Sequence, residues 1–268
     1  MTDRPLQTKP IFATLYSGSS GNCVYLSYGE DAILIDAGKN AKCAEKAAEK
    51  IGGSMKKVRA AFVTHEHGDH VSALDVLSRR YGFPVHAHCL SACAALPENT
   101  VYHKGLIEET VGPFTVRSFY TPHDSASGMG YVVQVGDKKF GIATDMGMLA
   151  KSVVEQLCGC DAALVECNYD EEMLRNGPYP PHLKARVGGK YGHLSNEDGA
   201  LLAAALAKTG ATHILLGHLS LENNLPEKAL AAVYAEFEKR GVSASVLVAQ
   251  RDEPTVLVGA PSEKEETC

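Results

Sequence analysis

Short apolar runs open the chain, and each is bounded by Gly, Ser or Asn. Residues 11–16, 23–28 and 31–36 read as three strands joined by tight turns. Residues 41–51 are rich in Ala, Lys and Glu and predict a helix. Residues 58–64 read as a buried strand. Over 71–81, Val71, Leu74, Leu77 and Tyr81 fall on one helical stripe. Strand patterns follow at 85–89, 114–120, 131–135, 140–144 and 162–166, with a helix over 149–157. The last third predicts a helix at 196–208, opened by the cap-like run Ser195-Asn196-Glu197-Asp198. A strand at 213–216, a helix at 226–240 and strands at 243–248 and 255–258 complete the pattern. Asn223 and Asn224 stand where they would cap the 226–240 helix.

No linker or tandem repeat interrupts this order. Polar tails are expected at 1–10 and 262–268, with one domain over 1–268 and its core at about 11–258. Two β-rich halves, each with helices, predict an α/β protein with a double sheet packed between helical layers.

Composition changes this picture little. Of the 268 residues, 45% are hydrophobic and 22% charged, as in an ordinary globular protein. The formal net charge of -6 argues against a broad basic surface. It leaves room for a nucleic-acid enzyme, because divalent metals add positive charge where phosphate would sit. The N-terminus lacks a signal-peptide run, and no stretch reaches the roughly 18 apolar residues of a membrane span. The expectation is a cytoplasmic protein without membrane contact, its eight cysteines reduced.

The chemistry concentrates in His65-Glu66-His67-Gly68-Asp69-His70, directly after an apolar strand. His is an uncommon residue, so three within six positions beside Asp mark a metal site. Imidazole and carboxylate together suit divalent Zn, Mn or Fe. Two metals need more ligands, and later strand ends supply His123, Asp145 and His218.

This order of motifs resembles the metallo-β-lactamase-fold hydrolases over about residues 11–258. The resemblance implies a four-layer αβ/βα sandwich with two divalent metals at one edge of the sheets. It implies that His65, His67 and His123 hold one metal, that Asp69, His70 and His218 hold the other, and that Asp145 bridges both. Asp145 in the bridging place departs from the true lactamases, which use a Cys ligand at the second site. His67 departs from the oxygen-reducing relatives, which carry Glu there. Both choices favour the thioester- and phosphodiester-hydrolysing branches. Longer motifs are similar to the YycJ/WalJ group: 17–22 (SGSSGN), 166–170 (ECNYD), 179–186, 192–196 (GHLSN), Asn223-Asn224 and Pro226-Glu227. That group implies 5′-to-3′ exonuclease action on DNA.

The expected nucleophile is hydroxide from a water shared by two metals roughly 3.5–4 Å apart. Asp69, a ligand, would also orient it or take its proton. His193, beside Gly192 and ahead of a helix start, is the leading catalytic residue outside the ligand set, with a surface imidazole as the plain alternative. Asp36 ends a strand where the fold usually places an acceptor for a metal-bound imidazole. Ser19 and Asn22, in a Gly/Ser turn, and Lys184 and Arg186, near His193 with Lys190, are candidate phosphate contacts. His86, His88, Cys89 and Cys93 lack four-ligand spacing and read as packing. His103, His182 and His213 have no evident partners, and Cys158-Gly159-Cys160 no evident role. A small-molecule phosphodiesterase or thioester hydrolase is the alternative enzyme. A metal-holding regulatory protein without turnover is the alternative outside enzymes.

Overall fold

The computed structural model describes residues 9–259. The 262–268 tail and residues 1–8 of the N-terminal tail lie outside the described residues.

Six strands begin one sheet: β1 (Ile11–Tyr16), β2 (Cys23–Tyr28), β3 (Asp31–Ile35), β4 (Val58–Phe62), β5 (Val85–His88) and β6 (Val101–His103). Seven form the other: β7 (Glu108–Val111), β8 (Phe114–Tyr120), β9 (Met129–Val135), β10 (Lys138–Ala143), β11 (Ala162–Glu166), β12 (His213–Gly217) and β13 (Ser245–Val248). The last strand, β14 (Thr255–Val258), returns to the first sheet beside β1. The orders are β14-β1-β2-β3-β4-β5-β6 and β13-β12-β11-β10-β9-β8-β7. Both sheets are mixed. β1 to β3 and β7 to β10 pair antiparallel, whereas β3 to β6 and β10 to β13 pair parallel.

The parallel pairs require crossovers, and α-helices supply all but the one from β5 to β6, which holds a single 3-10 turn at Cys89–Ser91. α1 (Ala41–Lys50) leads from β3 towards β4. α2 (Gly68–Val71) and α3 (Leu74–Tyr81) lead from β4 to β5. α4 (Lys151–Leu157) joins β10 to β11. The crossover from β11 to β12 holds α5 (Glu171–Asn176), α6 (Pro181–Val187) and α7 (Asn196–Lys208), and α8 (Pro226–Arg240) joins β12 to β13. Side chains alternate along each strand, so each sheet has two buried faces. On β3, Leu34 packs with Ala44, Leu74 and Leu77 under the first helical layer. Its neighbours Ile33 and Ile35 meet Phe114, Tyr131 and Phe140 between the sheets. On β12, Leu216 packs against Leu202, Val233 and Phe237 of the second helical layer, and Leu215 points to the middle. The result is the expected αβ/βα sandwich.

The expected 71–81 helix is two helices. Ala73 N–H donates to the Ala37 carbonyl (2.8 Å), and the Asp69 carbonyl accepts from Asn22 N–H (2.8 Å). Both groups are thereby taken from the helical ladder, and the turn before them aims Asp69 and His70 inward. Asn223 and Asn224 do not cap α8, a correction to the expectation: Leu225 is the cap residue, with no side-chain bond. Asn224 instead exchanges two hydrogen bonds with Asn196 (2.9 and 2.8 Å) and donates to the Cys167 carbonyl, tying three loops together. β6, β7, α5 and α6 were not anticipated. Among the described residues, the seven cysteines are free, and no helix is long and apolar enough to cross a membrane.

Candidate metal centre

Parallel strands present their C-terminal ends along one edge, where open α/β sheets place ligands. Asp36 follows β3, and the His65–His70 run follows β4. Asp145 follows β10, Glu166 ends β11, and His218 follows β12. Asp36, Asp145 and His218 all adopt left-handed backbone conformations, with φ of 60°, 58° and 57°. For non-glycine residues this is strained and characteristic of functional sites. Close backbone packing holds the turns in place: a Cβ on Gly38 would lie 1.9 Å from the Asp69 carbonyl oxygen.

The structure brings all seven expected ligands together. His65, His67 and His123 point their ring nitrogens at one another, as do Asp69, His70 and His218. Asp145 stands between the trios, with Oδ2 3.4 Å from His70 Nε2 and Oδ1 3.8 Å from His123 Nε2. Asp69 Oδ2 lies 3.6 Å from His70 Nε2 and 3.8 Å from His218 Nε2. These spans are too long for hydrogen bonds. They suit two ligands of one cation, each about 2.0–2.2 Å from it. His123 Nε2, Asp145 Oδ2 and His218 Nε2 are buried with no hydrogen-bond partner among the described residues. Orphaned buried atoms are costly, and these three belong to the expected ligands and face one cleft. The donor set fits divalent metal.

Four of the five imidazoles, all but His67, are also held from behind. His70 Nδ1 is 2.8 Å from Asp36 Oδ2, and Asp36 also accepts from Thr64 N–H (2.8 Å) and Thr64 Oγ1 (2.7 Å). His65 Nδ1 lies 3.0 Å from Thr64 Oγ1, and His123 Nδ1 lies 3.0 Å from the Gly192 carbonyl. His218 Nδ1 lies 3.0 Å from Glu166 Oε1. Such partners fix the tautomer that leaves the inner nitrogen free to ligate.

Glu166 was missed as a site residue, although it lies within a stretch noted for its similarity. It is wholly buried at the end of β11. Oε1 faces His193 Nδ1 at 2.8 Å as well as His218, and Oε2 accepts from Met146 N–H (2.8 Å) and Leu194 N–H (3.3 Å). A charge ending an otherwise apolar strand, AALVE, was the one available signal.

His193 therefore belongs to the site. Its side chain is 18% exposed, with Nδ1 3.7 Å from Asp145 Oδ1. Asn22 lies inside the site, Nδ2 3.1 Å from His70 Nε2, while its Oδ1 accepts from Gly18 N–H. Ser19 is exposed on the turn. Lys184 donates to the Arg175 carbonyl (2.7 Å), and Arg186 pairs with Asp124 (2.5 Å), so both cations have partners within the chain. His86 Nδ1 meets His103 Nε2 at 3.1 Å, with ring centroids 5.4 Å apart. The His86–His103 contact is thus an in-line hydrogen bond between imidazoles. No cysteine joins any metal-competent group among the described residues.

The electrostatics follow from crowding. Burial, reinforced by surrounding imidazoles, pushes His65 well below its ordinary range, leaving a neutral ligand. Burial opposes charge on His70, but Asp145, Asp36 and Asp69 outweigh it and raise the group to about 9. His218 is raised by Asp145, Asp69 and Glu166 against the same opposing burial. Burial likewise fails to neutralise Asp69 and Glu166, whose neighbouring imidazoles hold them below the usual carboxylate range.

Residues 31–219 match the model of the β-lactamase superfamily domain, and the chain belongs to that superfamily. It has the metallo-β-lactamase fold and is a metal-dependent hydrolase related to exodeoxyribonucleases. It is 35% identical over 238 residues to exodeoxyribonuclease YycJ of Bacillus anthracis, spanning 86% of this chain and 90% of that one. It is 35% identical over 229 residues to exodeoxyribonuclease WalJ of Streptococcus pneumoniae, spanning 81% and 84%. Among solved structures, the metallo-β-lactamase fold protein YhfI from Bacillus subtilis superposes with a TM-score of 0.69 at 16% identity, over 92% of this chain and 99% of that one. Zn(2+)-bound PqqB from Methylobacterium extorquens gives 0.64 at 16% identity, over 91% and 99%.

Proposed function

We propose that the protein is a two-metal phosphodiesterase acting on nucleic acid, a 5′-to-3′ DNA exonuclease. The observation that carries this reading is the 35% identity to named exodeoxyribonucleases across most of both chains. We assign His65, His67 and His123 to one metal, Asp69, His70 and His218 to the other, and Asp145 to both. Zn, Mn and Fe all suit these donors. Because the ligands come from both sheets, residues 11–258 act as one catalytic domain. The free thiols suit a reducing, cytoplasmic setting.

Bound divalent cations would supply Lewis acidity and a water of lowered pKa. The chain's own residues do the rest. Asp69, with its side chain 26% exposed, is placed to orient the attacking water and take its proton. His193 gives Nδ1–H to Glu166, so in its protonated form the Nε2–H is left to face substrate and hand its proton to the leaving oxygen. Glu166 stabilises that starting imidazolium, and the transfer leaves a neutral imidazole.

The test uses metal-loaded protein with end-labelled single- and double-stranded DNA and RNA, beside bis-p-nitrophenyl phosphate and a thioester. Shortening of DNA from the 5′ end is expected. Turnover of the thioester alone would replace this reading with that of a small-molecule hydrolase, and turnover of nothing with two metals bound would favour a regulatory protein.

A further inference from the structure

The loop that carries His193 also carries a large aromatic side chain in water. Tyr191 is 64% exposed, and Met148, three residues beyond Asp145, is 42% exposed. Single exposed apolar residues are common and need no explanation. These two differ in how they are held.

The Tyr191 backbone is fixed against the metal-site turns from three directions. Its carbonyl accepts from Asp124 N–H (2.8 Å), and Gly192 N–H donates to the Gly189 carbonyl (2.9 Å). The Gly192 carbonyl faces His123 Nδ1. Gly147 packs so closely on this loop that a Cβ there would lie 2.4 Å from Tyr191 N and 2.3 Å from the Lys190 carbonyl carbon. Met148 follows Gly147 directly, so both exposed side chains leave one rigid junction. Lys190, also exposed, adds a cation on the same loop. Two residues of chain span at most about 7 Å, so the backbone that carries the ring lies within about that distance of the backbone that carries the imidazole proposed to serve the leaving group.

We propose that Tyr191, backed by Met148, is a base-stacking platform for the nucleotide next to the scissile phosphate of single-stranded DNA. This deepens the nuclease reading and rests on it. Every base has a π-face, so such a platform grips a strand without reading its sequence. It needs an unpaired base, which makes the enzyme prefer single-stranded ends. Lys190 would accompany the ring as a phosphate contact.

The test pairs a protein change with a substrate change. Tyr191→Ala should raise KM for single-stranded DNA about ten- to a hundredfold, with a smaller effect on kcat. Tyr191→Phe should behave like the wild type, because stacking uses the ring and not the hydroxyl. An abasic site at the end being cut should weaken the wild type by a similar factor and add little to Tyr191→Ala. The chain contains no Trp, so Tyr191→Trp installs a single indole fluorophore. A phosphorothioate oligonucleotide, which resists cleavage, should quench it in the metal-loaded protein. Metal content measured beside each variant guards against a disturbed centre. An unchanged KM in Tyr191→Ala, equal sensitivity of wild type and Tyr191→Ala to the abasic site, or an unquenched indole overturns the platform while leaving the nuclease reading intact. Failure of the wild type to bind or degrade DNA overturns both.

Discussion

Replacing Glu166 with Gln changes one oxygen to an amide nitrogen and should disable the centre without emptying space. The buried carboxylate faces four N–H donors, two at each oxygen: Met146 and Leu194 backbone N–H at one, His193 and His218 Nδ1 at the other. The side-chain amide of Glu166→Gln would keep one oxygen. Backbone N–H groups cannot change, so that oxygen must serve Met146 and Leu194. The new NH₂ then faces the two imidazoles, which can adapt only by offering Nδ1 lone pairs. Their protons move to Nε2. On His218 that is the orphaned inner nitrogen, and a protonated nitrogen cannot ligate. Loss of such a supporting partner lowers metal affinity 10- to 100-fold, about 1.4–2.8 kcal/mol. His193 would in turn lose the acceptor that stabilises its charged form. In the serine-protease triad the comparable amide replacement lowers kcat about 10⁴-fold through the wrong tautomer. A chromophoric chelator competition measures the second metal's affinity, and a DNA digestion assay measures kcat. If Glu166→Gln binds two metals within threefold of wild type and keeps its kcat, Glu166 does not set the tautomers, and the reasoning fails.

Other expectations are simpler. His193→Ala should retain both metals yet lose about 10²–10⁴-fold in rate, judged by metal analysis and turnover; loss of metal would show that His193 is itself a ligand. Asp36→Ala should strip acceptors from Thr64 and His70 together and cost about 2–5 kcal/mol of stability, read from a denaturant titration, because several buried donors lose their partner at once. Arg186→Ala should change KM for DNA less than threefold, because Asp124 already engages that exposed guanidinium; a tenfold rise would return Arg186 to the substrate side. Gly147→Ala should force the Lys190–Gly192 backbone away and lower kcat more than metal content, measured on the same preparation.

Much of this molecule is visible in its sequence, and the reasons are local. The His65–His70 run declares itself because four chemically unusual side chains share one turn. The central strands do so because burial on both faces leaves nearly unbroken apolar runs. Glu166 stayed silent because its partners His193 and His218 are 27 and 52 residues away and only the closed fold brings them to it. β6 is three residues long and mostly exposed, and α6 buries only Val187, so neither writes a periodic pattern. The break between α2 and α3 was hidden because Val71, Leu74 and Leu77 keep one stripe across it. Its cause, the amide of Asn22 and the carbonyl of Ala37, lies elsewhere in the chain.

That the metal-site residues divide between two sheets has a consequence for the protein's biosynthesis. His65, His67, Asp69 and His70 leave the ribosome early, but His123, Asp145 and His218 follow only as the second sheet is made. At about 5–20 residues per second, His218 trails His65 by roughly eight to thirty seconds. During that interval the nascent chain offers a few exposed imidazoles and no enclosed cleft. Under the ligand assignment proposed above, a complete centre therefore arrives late, and a chain that stops short of His218 lacks one of its ligands.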